Sequence, residues 1–183
     1  MRRIAEVANQ ELVWVQPARM KQAFELRASD EVVATLQFQR ASLAAGETAD
    51  NQWTFKREGF WHPQITVRVA GSDANVAVFK PAWTGGGTLE LPQGRLLRFG
   101  AANFWHSQWD WSDPAGKPLV HFKSHAGLLK MEGEVGIEPE SVGLSAADRG
   151  VGLVSVDPLC ARFRRGGCRI NGRDCSGVRS LNR

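Results

Sequence analysis

The chain has 183 residues, a formal net charge of +4, seven Trp, nine Phe and no Tyr. Residues 151–183 hold seven Arg, no Lys and two Asp, which leaves 16 basic and 17 acidic side chains in residues 1–150. The body is therefore electrostatically neutral, which excludes polyanion binding driven by its bulk charge, and its many rings supply large hydrophobic units for one core.

All three cysteines, Cys160, Cys168 and Cys175, fall in the C-terminal segment. A small secreted domain would spread an even number through its core, so a reducing, cytoplasmic setting is the simpler reading. The start, Met1-Arg2-Arg3-Ile4, is not followed by the run of about seven or more apolar residues of a signal peptide. No later stretch approaches the roughly 18 needed for a membrane-spanning helix.

Residues 1–10 read as a lead-in. Helical evidence is confined to residues 5–13, enough for one or two amphipathic turns, and a first strand is predicted at Leu12–Val15. Four hairpins follow, each an alternating apolar run, a turn cluster and a second apolar run.

The first joins Phe24 and Leu26 through Ala28-Ser29-Asp30 to Val32, Ala34, Leu36 and Phe38 at period two. Residues 41–51, rich in Ala, Gly, Thr and Asp, read as an exposed loop, and residues 53–56 as a strand. The second hairpin joins Ile65, Val67 and Val69 through Gly71-Ser72-Asp73 to Val76, Val78 and Phe79, and stops at Pro81, which cannot donate to a ladder.

In the third, Leu89 and Leu91 lead through Pro92-Gln93-Gly94 to Leu97 and Phe99. In the fourth, Trp109 and Trp111 lead through Asp113-Pro114-Ala115-Gly116 to Leu119, Val120 and Phe122. A last strand is predicted over 128–132. Some 11–12 strands laid flat would expose edges, so an all-β, antiparallel, closed or nearly closed barrel built from consecutive hairpins over residues 11–138 is favoured over two packed sheets. Residues 139–183, with Arg and Gly alternating without period, are predicted to be a poorly ordered tail.

The runs Trp14-Val15-Gln16-Pro17, Phe24-Glu25-Leu26, Val32-Val33-Ala34-Thr35-Leu36 and 53–60 (Trp-Thr-Phe-Lys-Arg-Glu-Gly-Phe) resemble the bacterial branch of the tubby C-terminal-like superfamily. That superfamily also takes in LURP-one-related and phospholipid scramblase proteins. Leu89-Glu90-Leu91-Pro92-Gln93-Gly94 and Trp109-Asp110-Trp111 continue the similarity, which covers roughly residues 11–138. The resemblance implies a barrel of about twelve antiparallel strands around an apolar C-terminal helix, with phosphoinositide binding in the animal tubby proteins and membrane association in the scramblases. Here the chain departs from the pattern. After Leu128-Leu129-Lys130 it offers only Val151-Gly152-Leu153-Val154-Ser155-Val156, at most a turn and a half of helix. Either another element plugs the barrel, or residues after about Ala147 replace an original helix.

No catalytic motif stands out. His62 and His106 each follow a Trp, and His121 and His125 share a face of one strand, but nothing places three or four metal ligands together. Ser107 and Asp110 lie near His106 and His121 without a nucleophile elbow. Gly85-Gly86-Gly87 lacks the Lys-Ser/Thr and the helix of a phosphate loop and reads as a hairpin connection. The seven and six residues between the cysteines fit no common zinc knuckle.

Trp109 and Trp111 share a face that either fills the barrel, the favoured reading, or joins Trp105 in an aromatic platform. In the platform reading, Trp61 and Trp105 are exposed loop residues. Cations that could meet a lipid head group are Lys56, Arg57, Arg68, Lys80, Arg95 and Arg98. The sequence thus points to a non-enzymatic binding or scaffold module without cofactor, peripheral to a membrane and contacting anionic lipid. The competing reading is a carrier holding an apolar small molecule or lipid inside the barrel. Nucleic-acid association through the Arg-rich tail alone is the weaker third.

Overall fold

The computed structural model describes residues 1–17, 22–83, 85–126 and 131–138. The proposed C-terminal tail lies outside them. A short helix α1 (Ile4–Val7) precedes twelve strands: β1 (Leu12–Val15), β2 (Ala23–Ala28), β3 (Glu31–Arg40), β4 (Leu43–Thr48), β5 (Gln52–Glu58) and β6 (Gln64–Val69) form the first half. The second half is β7 (Asn75–Pro81), β8 (Gly87–Glu90), β9 (Leu96–Ala101), β10 (Gln108–Ser112), β11 (Pro118–Ala126) and β12 (Met131–Ile137). Every strand pairs antiparallel with its sequence neighbours, and β1 closes on β12 with Leu12 opposite Val135 and Trp14 opposite Gly133. The result is a closed up-and-down barrel without a free edge.

Side chains alternate across its wall. Leu12, Trp14, Leu26, Leu36, Phe55, Val67, Leu89, Trp111, Val120 and Phe122 share one buried cluster. Phe99 is the hub of its aromatic part, stacked on Trp109 at 5.2 Å and edge-on to Phe79 and Phe122 at 6.4 and 6.3 Å. The face carrying Trp109 and Trp111 therefore fills the barrel, and no platform forms with Trp105.

Five readings change or narrow. Residues 41–51 are not one loop, because 43–48 form β4, whose Ala44, Gly46 and Thr48 turn inward. The period-two run in β3 is broken by a register shift beside Leu26, which leaves Val33 unpaired and fully buried while Val32 is half-buried. In β7 a similar shift turns Ala77 and Phe79 inward, with Val76 and Val78 only partly covered. The helix is one turn, since residues 12–15 are bonded as a strand on both sides. The last strand runs Met131–Ile137, and residues 127–130 fall outside the described set.

Helix α1 closes one end of the barrel. Its Ile4 and Val7, three apart and so on one helical face, are buried in the common cluster. Arg2 and Arg3 bind Glu31 at 3.4 Å and Asp50 at 3.0 Å, at the β2–β3 and β4–β5 turns. Among the described residues no helix is long and apolar enough to cross a membrane.

Candidate functional site

Up-and-down connectivity sends alternate connections to opposite ends. The turns β2–β3, β4–β5, β6–β7, β8–β9 and β10–β11 share the end closed by α1. The connections β3–β4, β5–β6, β7–β8 and β9–β10 share the other end, here termed the rim. Five aromatic side chains on the described surface are strongly exposed: Phe60, Trp61, Trp83, Phe104 and Trp105, each between 79 % and 89 %. All five lie in the three consecutive rim loops 59–63, 82–86 and 102–107. Rings of about 150–250 Å² apiece place on the order of 1,000 Å² of apolar surface at one end, divided among three loop tips.

These loops are built to hold the rings outward. In the first, Gly59 has φ +82°, and a Cβ there would lie 2.5 Å from the His62 carbonyl oxygen, so only glycine permits the reversal that presents Phe60 and Trp61. In the second, the Ala82 amide donates to the Gly86 carbonyl at 2.9 Å. A Cβ on Gly86 would meet the Phe99 carbonyl oxygen at 2.3 Å, so the glycine run is a packed hairpin connection.

In the third, Asn103 Oδ1 accepts from the amides of Ser107 at 3.0 Å and Gln108 at 3.3 Å, while its Nδ2 donates to Ser107 Oγ at 2.7 Å. The buried Trp109 donates its indole N–H to the His106 carbonyl at 3.0 Å, holding His106 at φ +54°. This hydrogen bond joins core and loop. Phe60 and Trp61 pack edge-to-face at 5.4 Å, as do Phe104 and Trp105 at 5.5 Å. Both pairs belong to the same tripeptide, Phe-Trp-His, which the sequence reading passed over although the repetition is visible there.

The six candidate cations do not converge. Lys56 and Lys80 flank the rim on outward faces, but Lys56 Nζ lies 2.9 Å from Glu58 and Lys80 Nζ 2.6 Å from Glu90. Lys56 holds the Glu58 carboxyl below its ordinary value, first by their hydrogen bond and then by its charge, with a smaller pull from Arg68. Arg57 shares the inward-facing register of Trp53 and Phe55 near the rim, opposite Ile65. Arg68 donates to Asn75 Oδ1 at 2.8 Å, toward the closed end. Arg95 follows the Pro92–Gly94 turn at the closed end, and Arg98 lies on β9 opposite Ser112. Trp61 and Trp105 are the members of the set that share a built surface.

Charge is sorted along the barrel axis as well. Four closed-end turns carry Asp30, Asp50, Asp73 and Asp113, whereas the described rim loops contain no Asp or Glu. Sequence-wide neutrality hides this polarity, because it follows from which connections share an end.

On the outer wall His121 stands between two carboxylates, with Nδ1 2.8 Å from Asp110 and Nε2 3.2 Å from Glu138. Both ring nitrogens are engaged, leaving neither to activate a nucleophile. Among the described residues no group of three or more His, Cys, Asp or Glu is arranged to hold a metal ion. Comparison with protein-family models, curated proteins and solved structures finds no match to this chain.

Proposed function

We propose that the chain is a non-enzymatic binding module, peripheral to a membrane on its cytoplasmic side, that docks by seating the rim rings in the bilayer interface. The observation that carries this reading is the gathering of five exposed rings on three neighbouring, internally braced loops. Trp favours the interfacial layer, where its apolar body is buried and its N–H edge stays wet, and Phe adds apolar area beside it. The rings stand on separate loop tips. A fluid interface receives such tips without the matched pockets a rigid protein partner would need. The twelve-stranded barrel is also what the resemblance to tubby-like proteins implies, and kinship with them is part of this proposal.

Vesicle flotation of the full chain, with Trp emission recorded alongside, tests the reading. Binding with a blue shift is expected, and its loss is expected in a Trp61→Ser, Trp83→Ser, Trp105→Ser variant whose circular dichroism is unchanged. No flotation of the wild type on neutral or anionic vesicles would overturn it.

The carrier reading has one observation in its favour. The buried indole N–H groups of Trp14 and Trp111 point to the inner side and have no hydrogen-bond partner among the described residues. An interior guest with acceptor oxygens would satisfy them. Against it, the clustered core side chains are at most 8 % exposed. Native mass spectrometry of the purified chain distinguishes the two, since a carrier retains a co-purifying small molecule.

A further inference from the structure

Phe60 with Trp61, and Phe104 with Trp105, make the same local arrangement twice: their rings meet edge-to-face at 5.4 and 5.5 Å with planes 89° and 83° apart. Two planes at a right angle enclose a corner walled by two π faces. Inside the barrel, a comparable pair such as Phe24 with Phe38 has that space filled by the core, both rings being 5 % exposed. At the rim the four rings are 79–88 % exposed, so their faces stand open. Resting on the membrane reading above, we propose that these two corners receive choline head groups, which makes phosphatidylcholine the preferred lipid of the rim.

The face of an aromatic ring carries the negative part of its quadrupole and attracts a cation, Trp most strongly. A quaternary ammonium suits an open corner better than a primary one. Its charge lies beneath methyl groups that pack on the rings, whereas a primary ammonium is a compact, strongly hydrated charge that loses more on leaving water. The loops themselves set the kind of cation. Segments 59–63, 82–86 and 102–107 contain no Asp, Glu, Lys or Arg. With no carboxylate there to neutralise it, the cation has to bring its own counter-charge, as the zwitterionic phosphocholine group does. Lys56 and Lys80, on the strands that lead into the first two loops, are engaged by Glu58 at 2.9 Å and Glu90 at 2.6 Å. Trp83, on the loop between the two corners, belongs to none of the ring pairs among the described residues and supplies apolar area only.

The experiment measures partition of the full chain onto vesicles of phosphatidylglycerol mixed in equal parts with either phosphatidylcholine or phosphatidylethanolamine. The two surfaces carry the same net charge and differ in the methyl groups on the ammonium. High salt screens the attraction of the basic C-terminal residues to both. The readout is the ratio of the two partition coefficients, expected to favour choline by about 5- to 30-fold from two weak cation–π corners. Phe60→Leu with Phe104→Leu removes one wall of each corner and keeps apolar bulk. It is expected to bring the ratio close to unity while the chain still binds both surfaces. Trp83→Leu is expected to weaken binding to both alike and to keep the ratio.

A wild-type ratio close to unity, a double variant that keeps the ratio, or its loss in Trp83→Leu overturns the choline proposal and leaves membrane docking standing. Absence of wild-type binding to either surface overturns both. Circular dichroism of each variant separates these results from unfolding.

Discussion

Gly46 on β4 faces Trp53 on β5 across one side of its ladder and Leu36 on β3 across the other. Two residues away, Ala44 stands in the same way between Phe38 and Phe55. The small side chains of β4 make room for the large ones beside them, as close packing of a barrel interior demands.

A side chain added at Gly46 enters the buried face beside Trp53 and Leu36. Gly46→Leu is expected to lower stability by about 1–3 kcal/mol through overpacking, read from the midpoint and slope of urea unfolding. The same change at Glu47, which is exposed, is expected to have little effect. Equal tolerance at both sites would show that the complementarity of sizes does not govern this part of the wall.

That strand also shows where the sequence was legible and where it was not. Hairpins whose inward residues are Leu, Ile, Val and Phe, bounded by Ser29-Asp30, Gly71-Ser72-Asp73 or Pro92-Gln93-Gly94, could be read from period and turn chemistry. β4 could not, because hydropathy does not register Gly46 and Ala44 as core residues. Nor could the shift at Val33, which depends on which residue of β2 each residue of β3 meets. The rim was half legible. Trp61 and Trp105 were recognised as candidates, but Phe60, Trp83 and Phe104 join them only once alternate connections are assigned to one end.

Trp14 and Trp111 each bury an indole N–H with no partner among the described residues. An unmet buried donor costs about 1–3 kcal/mol, while a ring of slightly smaller size keeps most of the packing. Trp111→Phe is thus expected to be close to neutral in stability. Phe122→Ala, which removes a ring from the same aromatic cluster, is expected to cost about 3–5 kcal/mol. Chemical denaturation of the two variants side by side decides it. A large loss in Trp111→Phe would mean that the N–H does have a partner in the folded protein.

The Lys56–Glu58 pair gives a pH test whose sign is fixed. Its hydrogen bond and charge lower the Glu58 pKa in the folded state. The stabilisation from this pair is accordingly present above the unfolded carboxylate value and is lost as pH falls through the lowered folded value. Carboxyl-carbon NMR titration of the wild type is expected to show Glu58 titrating below the ordinary glutamate value. In Lys56→Met its midpoint is expected to rise, and no movement would remove Lys56 as the cause.

Asn103 tests whether the rings work because they are held. Its side chain takes part in three hydrogen bonds that brace the loop carrying Phe104 and Trp105, none of which involves the barrel core. With a net contribution of about 0.5–1.5 kcal/mol per bond and partial exposure, Asn103→Ala is expected to lower global stability by only about 1–2 kcal/mol. The loop itself should lose its order. If vesicle binding depends on preorganised tips, the variant then has to order the loop on docking and should bind several-fold more weakly, with Phe104 and Trp105 still present. Undiminished binding by a variant with faster amide exchange across residues 102–107 would show that ring content alone suffices and that the bracing serves the barrel instead.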